Sequence, residues 1–268
     1  MRLGVLSDIH GNSIALDAVL ADAESLGVDR YLVLGDHVAI GVDPVAVLER
    51  LAGLNDVTFV RGNTDRYVVT GEGPLSLDDA KTNPALVETY AEVTASFAWT
   101  RGYVSAHGWF DWLAELPLEQ RHTLPDGTRL LAAHASPGRD DGSGFHPGLS
   151  NDEMEALITV SDVDLVCGGH SHQPVDRRLQ AAHVVNPGSV SNPFGPDLRA
   201  SYAVIDATEQ NYQVFHRRIE YDHGAVIDAV KQSHHPGAEL IIGFQRGEHM
   251  AVEPHPENHP VTLEPQSR

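Results

Sequence analysis

The sequence predicts an α/β fold, with helices laid on the faces of a sheet, and two observations predict it. Short apolar runs of strand length, rich in Val and Leu, recur at residues 3–6, 31–34, 57–60, 130–133, 165–167 and 184–185. Each ends in Gly, Asp, Asn or His, as buried strands do where the chain turns. Between several of these runs lie stretches of helical periodicity, so that strand and helix alternate.

The helices follow from their own signals. Ile14, Leu16, Val19, Leu20, Ala23 and Leu26 make one apolar face, and Gly27 follows as a stop. Asp43 and Pro44 open a second helix as N-cap and first-turn proline, and Gly53 closes it. Asn83-Pro84 opens a third through Leu86, Val87, Tyr90 and Phe97. Ser150 with Glu153 forms a capping box ahead of Met154, Leu157 and Ile158. Residues 71–121 break the alternation with helices in succession, and with Trp99, Trp109, Phe110 and Trp112. This stretch reads as a helical insertion over one edge of the sheet. Residues 1–222 are expected to form the main domain. Residues 223–268 are expected to hold a helix near 225–231 and, from Glu253, an extended or disordered tail rich in proline and charge.

Composition narrows the chemistry. A chain of 268 residues, 41% hydrophobic and 21% charged, buries a substantial core. No apolar run approaches the roughly 20 residues that span a bilayer. The apolar stretch near Met1 is too short for a signal-peptide core, which makes the cytoplasm the expected compartment. Cys167 is the single cysteine, so there is no intramolecular disulfide and no thiolate zinc site. Any metal must be bound through nitrogen and oxygen. With 18 Lys and Arg against 38 Asp and Glu, the formal charge of −20 repels duplex nucleic acid. Sixteen histidines are the one compositional oddity.

Five polar clusters sit directly after predicted strands: Asp8-Ile9-His10, Gly35-Asp36, Gly62-Asn63-Thr64-Asp65, His134, and Gly168-Gly169-His170-Ser171-His172. In open α/β sheets the loops at the carboxyl ends of the strands converge on one crevice. Any one cluster is a weak signal. All five in order, each at a strand's end, are a strong one, because they bring carboxylate, amide and imidazole donors to a common point.

In these clusters the sequence resembles the calcineurin-like metallophosphoesterases, above all the compact bacterial and archaeal members that act on phosphodiesters. The resemblance runs over about residues 1–206 and includes Asn186-Pro187-Gly188-Ser189-Val190 and Tyr202-Ala203-Val204-Ile205-Asp206. It implies a four-layer α/β/β/α sandwich, two sheets face to face with helices outside. It places one metal ion on Asp8, His10, Asp36 and His172, and a second on Asp36, Asn63, His134 and His170. Asp36 and Asn63 would carry catalysis, with Asn63 and Thr64 at the substrate. The chemistry implied is hydrolysis of a phosphodiester or nucleotide-type ester by a hydroxide bridging two ions about 3.5–4 Å apart. Nitrogen and oxygen donors suit Mn, Fe, Ni, Co or Zn. The expected partner is a small phosphorylated substrate, with neither duplex nucleic acid nor membrane. Two rival readings are a phosphomonoesterase, including a protein phosphatase, and a scaffold that uses the fold for protein contacts.

The pattern is broken at Thr64, where many members of the family have the histidine that serves the leaving oxygen. His107 or His122, both read as part of the insertion, could substitute. His37 is expected to point away from the site, Arg61 to form a surface salt bridge in preference to touching phosphate, and Cys167 to be a buried strand residue. The late histidines His234, His235, His249, His255 and His259 are spaced too irregularly for a third metal site.

Overall fold

The computed structural model describes residues 1–158, 160 and 162–248. Two five-stranded sheets carry the fold. The first has the order β10-β9-β1-β2-β3 and the second β4-β5-β6-β8-β7. In the first, β1 (Arg2–Leu6), β2 (Arg30–Val33) and β3 (Val57–Phe59) run parallel, while β9 (Ala200–Ala207) and β10 (Tyr212–Ile219) are antiparallel additions. The second repeats the plan: β5 (Arg129–Ala133), β6 (Leu165–Cys167) and β8 (His183–Asn186) are parallel, with β4 (Glu119–Thr123) and β7 (Val175–Arg178) antiparallel at its edges.

Alternate residues of the strands separate the layers. Leu3, Val5, Leu32 and Leu34 meet Leu130, Ala132, Leu165, Cys167 and Val185 between the sheets. The opposite faces bury Leu6, Tyr31 and Val33 under α1 (Ser13–Ser25) and α2 (Pro44–Ala52). On the far side, Leu131, Ala133, Val166 and Val184 pack with Met154 of α7 (Asn151–Leu157). The four-layer α/β/β/α sandwich is therefore present, and burial of both faces explains why the central strands are apolar at nearly every position. Cys167 lies fully buried in the inter-sheet layer, where loss of hydration pushes its thiol up to about 12.

Helix signals and structure agree at most ends. The Asn12 side chain accepts the Ala15 N–H at the start of α1, and Ser150 and Glu153 cap α7 reciprocally. Asp43 precedes α2 as expected, but its side chain does not cap it; it accepts the Ser13 hydroxyl at 2.7 Å and ties two helices together. After β3 come α3 (Asn63–Thr70), which precedes the insertion, and within the insertion α4 (Leu77–Thr82), a 3₁₀ turn at Pro84–Leu86, α5 (Val87–Ala106) and α6 (Phe110–Ala114). They bury Val68, Phe97, Val104 and Leu113 against Val38, Ala39 and Leu48, and Trp112 rests on Phe59 of the edge strand β3. Residues 119–121, expected in the insertion, form β4 instead. Its side chains are polar and half exposed, as suits an edge strand, so no apolar run announces it. Beyond β10, α8 (His223–Ser233) is followed by an unanticipated α9 (Ala238–Arg246), and the two share Val226, Val230, Ile241 and Ile242. His235 is buried in their junction against Trp99. The expected tail from Glu253, with His249, His255 and His259, lies outside the described residues. Among the described residues no helix is long and apolar enough to cross a membrane.

Candidate metal centre

All six parallel strands end on the same side, and the chain leaves five of them directly into a polar loop. Sharp turns bring those loops together. Asp8, His10, Asp36, His170 and His172 all have φ between 49° and 67°, in the left-handed region that residues other than glycine seldom adopt. Two glycines allow the loops to close. A Cβ on Gly62 would strike the Asp36 carboxylate, and one on Gly169 would strike the Ser7 hydroxyl and Asp8.

The seven side chains picked out in the sequence meet at one point. Asp8, His10, Asp36 and His172 offer ligand atoms within 4.8 Å of one another. Beside them, Asn63 Oδ1 lies 3.0 Å from His134 Nε2 and 3.0 Å from His170 Nδ1. His134 Nε2 is 3.5 Å from Asp36 Oδ2, which joins the two groups.

Each imidazole is set by a backbone carbonyl. A carbonyl can only accept, so the ring nitrogen facing it carries the hydrogen, and in the neutral ring, the form that ligates a metal, the opposite nitrogen keeps its lone pair. His10 donates from Nδ1 to Ala39 at 3.0 Å, His134 from Nδ1 to Leu34 at 2.6 Å, and His172 from Nδ1 to Asn192 at 2.6 Å. His170 is turned round, donating from Nε2 to Gly142 at 2.8 Å. All four free nitrogens therefore point inward. His10 Nε2 and His172 Nε2 stand 3.2 Å apart, two acceptors face to face, and the buried Asp8 Oδ1 has no hydrogen-bond partner. A convergence of acceptors, each ring braced from behind, is a donor set that fits cations.

The charges point the same way. Burial raises the Asp8 carboxyl, but His172 and His134 more than reverse this and hold it below its ordinary value. Asp36 is held far lower still, burial being outweighed by His134, His10 and His170. Burial lowers His134, yet Asp36 and Asp8 lift it to about 10; His172 is raised likewise by Asp8 against the same burial. His10 and His170 are lowered, chiefly by burial.

Asp65, part of the Gly62–Asp65 cluster but given no role of its own in the sequence, organises the loops. It is fully buried and accepts the N–H groups of Asp36, His37 and Gly62, each at 2.9 Å. His37 Nδ1 also faces it at 2.8 Å, so that ring points away from the cluster, toward Phe59 and Trp112. The signal available in the sequence was an acidic residue three positions after the loop glycine, the spacing that satisfies free N–H groups at a helix start. Thr64 donates its backbone N–H to Asp36 Oδ1 at 2.9 Å, while its hydroxyl is buried without a partner. Arg61 forms a salt bridge with Asp140 at 2.8 Å, but that carboxylate is buried, so the pair is not the surface one expected. The two histidines considered as substitutes lie elsewhere. His122 belongs to β4 and shares a pocket with Met1, Leu3 and Arg30, at the opposite ends of the strands. His107 ends α5, exposed, with its ring against Tyr103 and Nδ1 at the Tyr103 carbonyl.

The chain matches the calcineurin-like phosphoesterase superfamily domain over residues 1–210, and it belongs to that family. It is 27% identical over 259 residues to an uncharacterized protein of Methanocaldococcus jannaschii, covering 90% of this chain and 98% of that one. Among solved structures it is similar to a hypothetical protein of Pyrococcus horikoshii, with a TM-score of 0.77, 24% identity, and 91% and 97% of the two chains covered. It is also similar to a metallophosphoesterase of Sphaerobacter thermophilus, with a TM-score of 0.71, 25% identity, and 92% and 98% covered. Helices α8 and α9 lie beyond the residues matched by the family.

Proposed function

We propose that this chain is a hydrolase that uses two metal ions to cleave small phosphodiesters or nucleotide-type phosphate esters. The observation that carries this is the inward turn of four carbonyl-braced imidazoles onto Asp8, Asp36 and Asn63. Asp8, His10, Asp36 and His172 would hold one ion, and Asp36, Asn63, His134 and His170 the other, with Asp36 shared. Mn, Fe, Ni, Co and Zn all suit these donors. When bound, the ions supply the Lewis acidity that acidifies water and neutralises phosphate charge. Asn63 would hold both an ion and a phosphate oxygen. The similarity to the Sphaerobacter metallophosphoesterase supports the phosphoesterase reading. The high acidic charge supports a small substrate in place of duplex nucleic acid.

The preference among esters rests on position 64. A threonine hydroxyl is too weak an acid to protonate a leaving oxygen near neutral pH, and this one is buried. His107 and His122 face other surroundings. Esters whose leaving group needs no proton are therefore favoured: activated aryl diesters and nucleotide-type substrates over alkyl monoesters. General-acid assistance is worth about 10²–10⁴-fold, so the bias is large. Steady-state rates of the manganese-loaded protein on an aryl diester and an alkyl monoester test this. Thr64→His is expected to raise the monoester rate selectively. Faster cleavage of the alkyl monoester by the unmodified protein would overturn the preference.

A further inference from the structure

Asp140 is a buried carboxylate outside the seven clustered side chains, and it is the meeting point of two arginines. It is 5% exposed. Arg61 reaches its Oδ2 from Nε at 2.9 Å and from Nη2 at 2.8 Å. Arg66 spans both oxygens from Nε, at 3.2 and 3.0 Å. Arg66 continues to Asp141 at 2.9 Å.

The position of these groups in the chain gives the network its meaning. Arg61 lies two residues before Asn63, and Arg66 lies three after it, on the first turn of α3. Asp140 lies two residues before Gly142, whose carbonyl accepts the Nε2–H of His170. Asp140 thus fastens the segment that presents Asn63 to the loop that sets the orientation of His170. Those two side chains stand 3.0 Å apart, with no hydrogen bond of the regular sheets joining their segments. The braces of the other rings come from residues that are themselves buried, Ala39, Leu34 and Asn192. Gly142 is exposed, so its carbonyl needs an anchor from elsewhere.

We propose that Asp140, clamped by Arg61 and Arg66, is the positioning residue for the second metal ion, setting its affinity through Asn63 and His170 while leaving the first ion alone. Removing a hydrogen-bond partner of a metal ligand typically weakens the metal about 10–100-fold. Asp140 acts on His170 one step further out, through the Gly142 carbonyl, so its loss is expected at the low end of that range. The mechanism is geometric. Without Asp140 the loop releases the Gly142 carbonyl, His170 is free to rotate or to change tautomer, and its lone pair no longer faces Asn63. The inference rests on the two-ion reading above.

The test is a manganese titration of metal-stripped protein, with bound metal counted after equilibrium dialysis and the coupled-pair signal followed by electron paramagnetic resonance. Unmodified protein is expected to take up two ions. Asp140→Asn is expected to keep the first affinity, to lose about tenfold in the second, and to show the pair signal only at correspondingly higher manganese. Arg61→Gln, which leaves Asp140 held by Arg66, is expected to shift the second affinity the same way by less. It carries the test if Asp140→Asn does not fold. Asp140→Glu, which keeps the charge, is expected to recover part of the loss. Equal weakening of both ions would show a merely structural residue and overturn the proposal, as would unchanged binding of both. Uptake of a single ion by the unmodified protein would instead overturn the two-ion reading.

Discussion

Asp8, His10 and His172 form one half of the cluster, and Asn63, His134 and His170 the other, and the halves are braced differently. In the first, every residue is at most 8% exposed, and both rings lean on carbonyls of residues that are 1% exposed. In the second, His134 is equally deep, but Asn63 and His170 reach the half-exposed rim, and His170 leans on a loop held by Asp140. The contrast shows how one site can combine a fixed wall with a wall that other residues tune. Strand-end loops packed in the core supply the fixed donors. A surface loop tethered by guanidiniums supplies the adjustable one.

Asp36 is the side chain that joins the halves, and its loss is expected to have the largest effect. On the proposed two-ion reading, Asp36→Asn would leave the cations without a shared anchor and would remove a negative charge that opposes their repulsion. It is expected to lose at least one ion and to lower turnover by more than about 10³-fold. Full metal content with full turnover, by elemental analysis and steady-state kinetics, would refute the shared role. A sharper cut separates the halves. Asn63→Ala is expected to empty the second site alone and His172→Ala the first alone, each costing about 10²–10³-fold in rate. Metal counts that fall together in both variants would mean that the halves are one cooperative unit.

The smallest effect comes from acid. Without metal, His134 is lifted to about 10, so it holds a proton at pH 7 that the second ion must displace. His172 is raised too, and the first ion faces the same competition there. A raised imidazole pKa means that binding strengthens as pH rises and weakens as it falls. Metal affinity is therefore expected to fall steadily as pH drops below about 10, by up to roughly tenfold per pH unit for each proton in competition, and activity with it wherever metal is limiting. Given its looser brace, the second ion is expected to leave first. Metal counts at pH 7, 6 and 5 check the order, and an activity optimum near pH 5 would contradict it.

What the sequence made legible follows from how each part is built. Parallel strands buried on both faces must be apolar throughout, so Leu130–Ala133 and Leu165–Cys167 stood out. The edge strands β4 and β7, with sequences Glu-Gln-Arg-His-Thr and Val-Asp-Arg-Arg, carry no such mark, and neither did the start of β4 at the end of the insertion. The seven clustered side chains were legible because they are unusual residue types at strand ends. Their braces were not, because the carbonyls of Ala39, Leu34, Gly142 and Asn192 belong to the backbone and have no residue signature. Asp140 was hidden for a related reason. Its partners are 79 and 74 residues away, and only the fold brings them together. His122 misled because a histidine close in sequence to the insertion lies on a strand running to the far end of the sheet.

The left-handed backbone at five of the clustered residues carries one more consequence, for how such a protein can change over generations. Each residue other than glycine held there costs roughly 1–2 kcal/mol, less for Asp than for bulkier side chains. Five together approach the entire net stability of a typical domain, about 5–15 kcal/mol. Glycine at Asp8, His10, Asp36, His170 or His172 would relieve that strain, so the nearest routes to a sturdier fold run through the loss of its chemistry. A lineage selected for robustness alone would drift toward an inert shell of the same shape. The side chains that stand in these turns are held there against the preferences of their own backbone.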